Sequence, residues 1–421
     1  MRTHISGRLV VRLSEEAVAR VKEEIPVARF HRQRRRAKQF GIDALDRILR
    51  SHGAHSIRRL FRSGRPEDGL FGYYVVRFDR NRQIASFQAA LRKRHLVLSA
   101  RPDYYRRLLG GVAGVAMASV EPAIDWPVEV ATDASLPRPV VAVIDTGIQM
   151  NPPHPCLADR TVGLKDVVDL DGEALPDGWS WDSADLTAED DEPVDEVGHG
   201  THVAGIVAGS SSGSFSGIAP RANILAVRAL ARTVRGFDGL ISAYGSTSNV
   251  AAGINFAIQK GAKVVNMSFG FENQSPVEKS AISRARQMGC VVLAAMGNDG
   301  PSAPDLYPAK TPGVLAVGAN NADGSKWAAS QTGSQLFIMA PGESIISCGL
   351  GSTFEARTGT SMACAVVSGV VALMQSVHPG LSPDRAALLL RQTALPGSDR
   401  DDERGWGTVS ARAAVEAARE S

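Results

Sequence analysis

Hydrophobic residues in the first hundred positions follow two spacings. Continuous or alternating apolar runs predict strands at GRLVVRL, HSIRRLF, GYYVVRF and HLVLSA, whereas apolar residues three and four apart predict helices at IDALDRILRSH and IASFQAALRKR. The order strand, helix, strand, strand, helix, strand predicts a small α+β domain of the split βαβ (ferredoxin-like) type. The insert SEEAVARVKEEIPVARFHRQRRRAK adds a predicted helical segment that ends in a basic cluster.

The pattern changes after a proline-punctuated stretch, residues 121–138, which we interpret as a linker between an N-terminal domain, residues 1–120, and a larger domain, residues 139–421. The larger domain alternates continuous apolar runs with helical segments; the runs are VVAVI, ANILAV, KVVNMS, CVVLAAM and GVLAVGA. Continuous apolar strands indicate a parallel sheet that is buried on both faces. We therefore predict an α/β domain with a doubly wound, mostly parallel sheet and with its chemistry at the carboxyl ends of the strands.

Composition narrows the class of protein. The apolar fraction is 44%, yet no run approaches the roughly 18 apolar residues of a membrane span. The N terminus lacks the apolar core of a secretory signal. The four cysteines are scattered, without the paired spacing of a thiolate metal site. These features predict a cytoplasmic protein with no membrane partner.

Charge is distributed unequally between the two predicted domains. Residues 1–110 carry 26 Lys and Arg against 10 Asp and Glu, net +16, and the remaining residues carry 21 against 34, net −13. A basic domain can bind nucleic acid, but an acidic domain on the same chain is present at a much higher effective concentration. We therefore favour an intramolecular partner for the basic domain and expect no nucleic acid.

Four polar side chains occupy positions where a strand ends or a helix begins. Asp145 ends the run VVAVID, His199 opens the helical segment GHGTHVAG, Asn298 follows the run VVLAAM, and Ser361 precedes an apolar helix. Each has an ordinary explanation as a turn, packing or capping residue, and a zinc site at His199 and His202 lacks a third ligand. Together they supply a carboxylate, a base, an amide donor and a hydroxyl, in one of the known chain orders of a catalytic triad.

The blocks DTG, HGTHVAG, AAMGN and GTSMA, in this order, resemble the four signature blocks of the subtilisin-like serine peptidases. The resemblance implies a serine endopeptidase that needs no cofactor for its chemistry. By that resemblance Ser361 is the nucleophile, His199 the general base and Asp145 its partner, while Asn298 contributes to the oxyanion hole. His202 is then a packing residue.

The resemblance also implies further sites. Substrate is expected to bind as an extended strand between two edges, formed by Ala243, Tyr244 and Gly245 on one side and by Ser268, Phe269 and Gly270 on the other. The position that often shapes the fourth subsite corresponds to Thr247. The N-terminal domain is similar to inhibitory propeptides, with self-cleavage between about residues 105 and 135. Relatives usually have proline at Ala365, which we expect in the first turn of the serine helix.

The acidic segment DLTAEDDEPVDEVGHG precedes His199 and is a candidate calcium site, with Asp185, Asp190 and Glu192 as ligands. A solvated acidic loop is the alternative interpretation. The prediction for function is an autoinhibited, self-processing serine endopeptidase acting on polypeptides. Two alternatives are a maturation peptidase dedicated to a narrow peptide substrate and a peptidase whose N-terminal domain binds nucleic acid.

Overall fold

The computed structural model describes residues 4–21, 39–61, 69–78, 84–109, 112–113, 122–187, 191–211, 215–395 and 399–421. The basic end of the predicted helical insert, residues 22–38, lies outside the described residues, and so does the predicted calcium ligand Asp190.

The N-terminal domain has the predicted order of strands and helices. Its elements are β1 (His4–Leu13), α1 (Glu15–Ala19), α2 (Asp43–Ser51), β2 (Ala54–Arg59), β3 (Tyr73–Phe78), α3 (Ile84–Arg92) and β4 (Val97–Leu108). The four strands form an antiparallel sheet in the order β2, β3, β1, β4. The strand β4 is twelve residues long and continues well beyond the predicted run HLVLSA.

The remaining strands and helices belong to the larger domain, apart from β5 (Val112–Ala113) and α4 (Val128–Ala131), which precede residue 139. The elements of the larger domain are β6 (Val140–Asp145), β7 (Thr161–Asp166), β8 (Trp179–Trp181), α5 (His199–Ala208), β9 (Ser210–Ser211), β10 (Phe215–Ser216), β11 (Asn223–Arg228), β12 (Leu230–Arg235), β13 (Ile241–Ser246), α6 (Thr247–Gln259), β14 (Val264–Met267), β15 (Phe269–Gly270), α7 (Pro276–Gln287), β16 (Val291–Ala295), β17 (Leu315–Asn320), β18 (Leu336–Pro341), β19 (Ile345–Gly349), β20 (Thr353–Thr358), α8 (Thr360–Val377), α9 (Pro383–Thr393) and α10 (Ala411–Arg419).

A parallel sheet forms the centre of this domain. Within the described ranges it has seven strands in the order β18, β17, β16, β14, β6, β11, β7. The strands β6, β14 and β16 are almost completely buried because helices cover both faces of the sheet. The predicted continuous apolar runs therefore lie where a doubly wound sheet requires them.

The helix α8 runs through the core beside this sheet. In the described part of the chain it is the one helix long and apolar enough to cross a bilayer, but 94% of the 18-residue window is buried inside the protein. It is a core helix. Because α8 begins at Thr360, Ala365 is its sixth residue and lies in the second turn, not in the predicted first turn.

The strand β4 joins the two domains into one continuous antiparallel arrangement. On one side it pairs with β1, and its C-terminal part pairs with β13 and β15 of the larger domain. The N-terminal sheet also packs both of its faces. Tyr74 and Val76 face the helices of the N-terminal domain, whereas Tyr73 and Val75 share a core with α6 and α7. This double burial explains the continuous apolar run YYVVRF.

The described part of the predicted linker, residues 122–138, packs on the larger domain. A short 3₁₀ turn (Pro122–Ile124) precedes α4. Ile124 is buried in the main core, and the indole nitrogen of Trp126 donates to the carbonyl oxygen of Ile218 at 2.8 Å. The side chain of Arg412 binds Asp125 and Glu129. This stretch therefore differs from a free linker, because apolar residues between the prolines are buried.

Candidate active site

Asp145 and His199 form a buried pair at one end of the parallel sheet. Asp145 is the last residue of β6, and His199 is the first residue of α5. The imidazole Nδ1 lies 2.7 Å from Oδ1 of the carboxylate, and both side chains are fully buried. The close approach depends on Gly200, since a Cβ atom there would lie 2.2 Å from the carbonyl oxygen of Gly147. The carboxylate thus fixes the orientation of the imidazole ring.

A second buried carboxylate, Asp195, holds the start of α5. Its Oδ1 accepts hydrogen bonds from the backbone N–H groups of Val197 and Gly198 and from the hydroxyl of Thr146. Its Oδ2 accepts from both the backbone N–H and the hydroxyl of Thr201. A negative charge at a helix N terminus is favourable. Asp195 therefore links the end of β6 to the helix that carries His199.

Ser361 is the second residue of α8 and is fully buried. Its Oγ donates to the carbonyl oxygen of Leu109 at 3.0 Å and lies 3.3 Å from that of Ser268. Its own carbonyl oxygen accepts from the hydroxyl of Ser268, whose Oγ in turn accepts from the amide of Asn266. Polar side chains beneath α8 thus satisfy the backbone around the serine.

Asn298 points its amide group at the same carbonyl oxygen. Its Oδ1 accepts from the backbone N–H of Thr360 at 3.0 Å and from the Thr360 hydroxyl at 2.7 Å. These two bonds leave Nδ2 to donate to the carbonyl oxygen of Leu109, at 3.4 Å. Donors aimed at one carbonyl oxygen are the arrangement that stabilises negative charge developing there.

The chain that leads to Leu109 lies across the site as the end of the strand β4. In β4, Arg107 is opposite Tyr244 on one edge and Gly270 on the other, and Gly245 is opposite Arg106. The N–H of Leu109 donates to the carbonyl oxygen of Ser268 at 3.4 Å. Beyond Leu109, β5 pairs with β20, the strand that leads into α8. The predicted edge residues Ala243, Tyr244, Gly245, Ser268, Phe269 and Gly270 thus flank β4.

An ion-pair cluster lies between the two domains. Arg58 and Arg77 of the N-terminal sheet bind the carboxylate of Asp169 at 2.9 and 3.1 Å, and Arg77 also binds Glu173 at 3.0 Å. Arg8 is fully buried, lies 3.6 Å from Glu173 and binds Asp103 of β4 at 2.9 Å. Burial lowers the pKa of Arg58 to about 10. This value is still well above neutral pH, so the guanidinium stays charged. The opposite charges of the two domains therefore meet here.

Comparison with known proteins identifies the family. The family model described as Peptidase_S8, subtilase family, matches residues 138–407. Thermitase of Thermoactinomyces vulgaris is 36% identical over 279 residues, which cover 66% of this chain and 86% of thermitase. Subtilisin E of Bacillus subtilis (strain 168) is 38% identical over 243 residues, 57% of this chain and 56% of that protein.

The chain belongs to the subtilase family. The predicted family, enzyme class and α/β fold are thereby confirmed, and the protein is a subtilisin-like serine peptidase. The crystal structure of fervidolysin from Fervidobacterium pennivorans has the same fold, with a TM-score of 0.72 and 22% sequence identity. That similarity covers 99% of this chain, including the N-terminal domain, and 62% of the fervidolysin chain.

Of the predicted calcium residues of this subtilase, Asp185 binds partners of its own chain. Asp185 accepts from the backbone N–H and hydroxyl of Thr187, and the guanidinium of Arg228 lies 4.0 Å from its Oδ2. That guanidinium also binds Asp166 at 2.5 Å and Glu196 at 3.2 Å. An arginine therefore supplies positive charge beside Asp185, and a calcium site at Asp185, Asp190 and Glu192 remains a prediction from the sequence.

Potential metal ligands do lie close together elsewhere in the described residues, at His154, Cys156 and Cys348. All four cysteines, Cys156, Cys290, Cys348 and Cys364, are free and buried. Burial raises the pKa of the Cys364 thiol, three residues after Ser361, so this thiol stays neutral. It is therefore no competing nucleophile.

The structure also shows the contacts of His202 and Thr247, and of residues that the sequence did not single out. His202 packs against β20, where its Nε2 lies 3.1 Å from the carbonyl oxygen of Glu355. Thr247 begins α6, and its hydroxyl donates to Asp103 of β4 at 2.9 Å. Asp195 was missed because it lies three residues before the N-cap Gly198, outside the position where a capping side chain is expected. Thr360 and Leu109 carried no separate signal, because their roles depend on tertiary contacts.

Proposed function

We propose that this subtilase is synthesised as an autoinhibited serine endopeptidase that cuts its own chain after Leu109. One observation carries the proposal: the carbonyl oxygen of Leu109 accepts from the Ser361 hydroxyl at 3.0 Å and from the Asn298 amide at 3.4 Å. This is the relation of a scissile carbonyl to a nucleophile and an oxyanion donor. The sequence predicts self-cleavage somewhere between about residues 105 and 135, and the proposal names one bond in that range, the bond that follows Leu109.

In this mechanism Oγ of Ser361 attacks the carbonyl carbon of Leu109, and its proton passes to Nε2 of His199. That nitrogen is buried and has no hydrogen-bond partner among the described residues, which leaves it available as the base. Asp145 stabilises the imidazolium, while Asn298 donates to the oxyanion. The imidazolium then protonates the leaving amine, and water releases the acyl group from Ser361.

The N-terminal domain inhibits the enzyme by the same contacts. Its strand β4 pairs with both edges of the cleft, and Ser361 and His199 are fully buried in its presence. After cleavage the new carboxyl end at Leu109 remains in the cleft, held by β4 and by the ion pairs of Arg8, Arg58 and Arg77. We infer that activity towards other polypeptides begins only when this domain dissociates or is degraded.

The contacts weigh against the nucleic-acid alternative. Three N-terminal arginines, Arg8, Arg58 and Arg77, are occupied by acidic residues of the same chain. Part of the positive charge therefore has an intramolecular function, as the charge asymmetry predicts. The maturation-peptidase alternative concerns the breadth of substrate choice, which a peptide library measures. A cytoplasmic location remains a prediction from the sequence.

Mass spectrometry of the freshly purified full chain tests the proposal. The wild type is expected to yield an N-terminal fragment that ends at Leu109, and Ser361→Ala is expected to remain intact. A fluorophosphonate should label Ser361 once the N-terminal domain has dissociated or been degraded. An intact wild type that also fails to react with the fluorophosphonate would contradict the proposal.

A further inference from the structure

A buried salt bridge links the strand in the cleft to the enzyme behind it. The guanidinium of Arg106, three residues before Leu109, binds Glu278 through two parallel contacts, Nε to Oε1 at 2.9 Å and Nη2 to Oε2 at 2.5 Å. Both side chains are buried, with 0% and 1% exposure. The remaining donors reach the carbonyl oxygens of Tyr105 at 2.8 Å and Asn273 at 3.0 Å.

The two residues of this salt bridge lie in parts of the protein that self-cleavage is expected to separate. Glu278 lies in the first turn of α7 and belongs to the peptidase domain, whereas Arg106 belongs to the strand that occupies the cleft. The backbone of β4 is aligned by pairing with both edges, so its register determines which residue faces Glu278. A polypeptide that replaces β4 in the same register places one of its residues, the fourth before its scissile bond, opposite this carboxylate.

We propose that Glu278 makes this peptidase select arginine at the fourth position before the bond that it cleaves. The inference rests on the proposed function, because it takes β4 as a model of a bound substrate. A guanidinium matches a carboxylate with two parallel hydrogen bonds, which the single ammonium group of lysine does not reproduce. A neutral side chain leaves the buried carboxylate without a counter-charge, and this is the costly case.

The neighbouring position provides an internal contrast. Arg107, the third residue before the scissile bond, contacts Asp299 at 3.4 Å, and the side chains are 33% and 55% exposed. An exposed pair contributes little because water screens it. Arginine is therefore expected to matter at the fourth position and not at the third, although the two residues are adjacent in the sequence.

The test uses the full chain once its hydrolysis rate has become constant after self-cleavage. The substrate is acetyl-Tyr-Arg-Arg-Leu-Leu-aminomethylcoumarin, which copies the five residues that end at Leu109. Companion peptides carry Lys or Ala at the fourth position, or Ala at the third. We expect kcat/KM to fall about 10- to 100-fold for Ala at the fourth position and by less than about threefold for Ala at the third.

Two variants assign the preference to Glu278. In Glu278→Gln the ratio of kcat/KM between the Arg and Ala peptides should fall close to one, whereas Glu272→Gln, an exposed acid in the preceding loop, should keep the wild-type ratio. If Glu278→Gln does not fold, because Arg106 is then buried without a counter-charge, the double variant Arg106→Met with Glu278→Leu replaces both charges by apolar groups. Its enzyme should prefer Met over Arg at the fourth position.

The outcomes are distinct. Equal hydrolysis of all peptides by the wild type, or an Arg preference that persists in both Glu278 variants, would overturn the proposed selectivity while leaving the peptidase function in place. Hydrolysis of none of the peptides, with no fluorophosphonate labelling, would instead contradict the proposed function. A preference for Arg that disappears only when Glu278 is changed supports the inference.

Discussion

Hydrogen bonds fix the orientation of the Asn298 side-chain amide. Both hydrogen bonds from Thr360 end on its amide oxygen, so the amide nitrogen faces the carbonyl of Leu109. We expect Asn298→Ala to slow self-cleavage about 100- to 1,000-fold, the range known for loss of one oxyanion-hole donor in a subtilisin. The measurement is the first-order rate of appearance of the fragment ending at Leu109. An unchanged rate with unchanged thermal stability would exclude this role.

The buried His202 predicts how the folding stability of the protein depends on pH. Burial, and then the positive charge of Arg357, lowers the pKa of His202 to about 3. An unfolded histidine has a pKa near 6.5, so between pH 6.5 and 3 the unfolded chain binds a proton that the folded protein does not. Folding stability therefore falls with decreasing pH in this window, by at most about 1.4 kcal/mol per pH unit from this residue.

Urea unfolding between pH 4 and 8 measures this effect in the Ser361→Ala background, which prevents self-digestion. His202→Gln in the same background should make the free energy of unfolding fall less steeply below pH 6.5, since the titrating group is gone. Above pH 7 the two proteins should have parallel profiles. Equal slopes on the acid side would mean that His202 does not titrate in this range.

At the scale of elements, the position of α5 depends on Asp195. This carboxylate accepts five hydrogen bonds from the turn, from α5 and from Thr146, which follows β6. Asp195→Ala should lower the free energy of unfolding by about 2 to 3 kcal/mol, more than the ~1 kcal/mol of an ordinary cap, because it leaves several buried donors unpaired. It should also slow self-cleavage, since His199 begins the same helix.

The matched control is Asp133→Ala. Asp133 caps an exposed turn by accepting from Ser135, so its removal should change the free energy of unfolding by less than about 0.5 kcal/mol. Both variants are compared by urea unfolding in the Ser361→Ala background, and self-cleavage is followed in chains that retain the serine. Similar effects at the two positions would show that Asp195 is an ordinary surface cap.

At the scale of the whole molecule, Asp169 joins the peptidase domain to the N-terminal sheet. Its carboxylate binds Arg58 and Arg77, and removing one member of a buried ion pair is costly because the other charges stay buried. After self-cleavage, Asp169→Asn should weaken binding of the N-terminal fragment by about 2 to 3 kcal/mol, or about 30- to 150-fold. Asp299→Asn, which removes an exposed pair, should weaken it less than about fivefold.

The fragment's inhibition constant towards the processed enzyme, measured with a coumarin peptide, gives both values. Equal inhibition by fragment in the wild type and in Asp169→Asn would mean that apolar packing of Tyr73 and Val75 holds the domains together without these charges. Because the Asp169 pairs are buried, moderate salt should change the inhibition constant little.

The sequence alone determined the elements and the chemistry. Periodicity is a local property, so strands such as VVAVID and helices such as the one after Ser361 could be predicted from neighbouring residues. The chemical identity of Asp145, His199, Asn298 and Ser361, in four ordered blocks, was enough to indicate the family. The charge asymmetry also indicated that the N-terminal domain has an acidic partner on the same chain.

Only the tertiary structure decided where the chain contacts the candidate active site. The strand β4 continues beyond its apolar run because β13 and β15 supply partners for its backbone. The residues near Leu109 do not by themselves predict this pairing. Arg106 and Glu278 are 172 positions apart, and each alone reads as a surface charge. Packing buries them together, and the proposed selectivity for arginine depends on that desolvation.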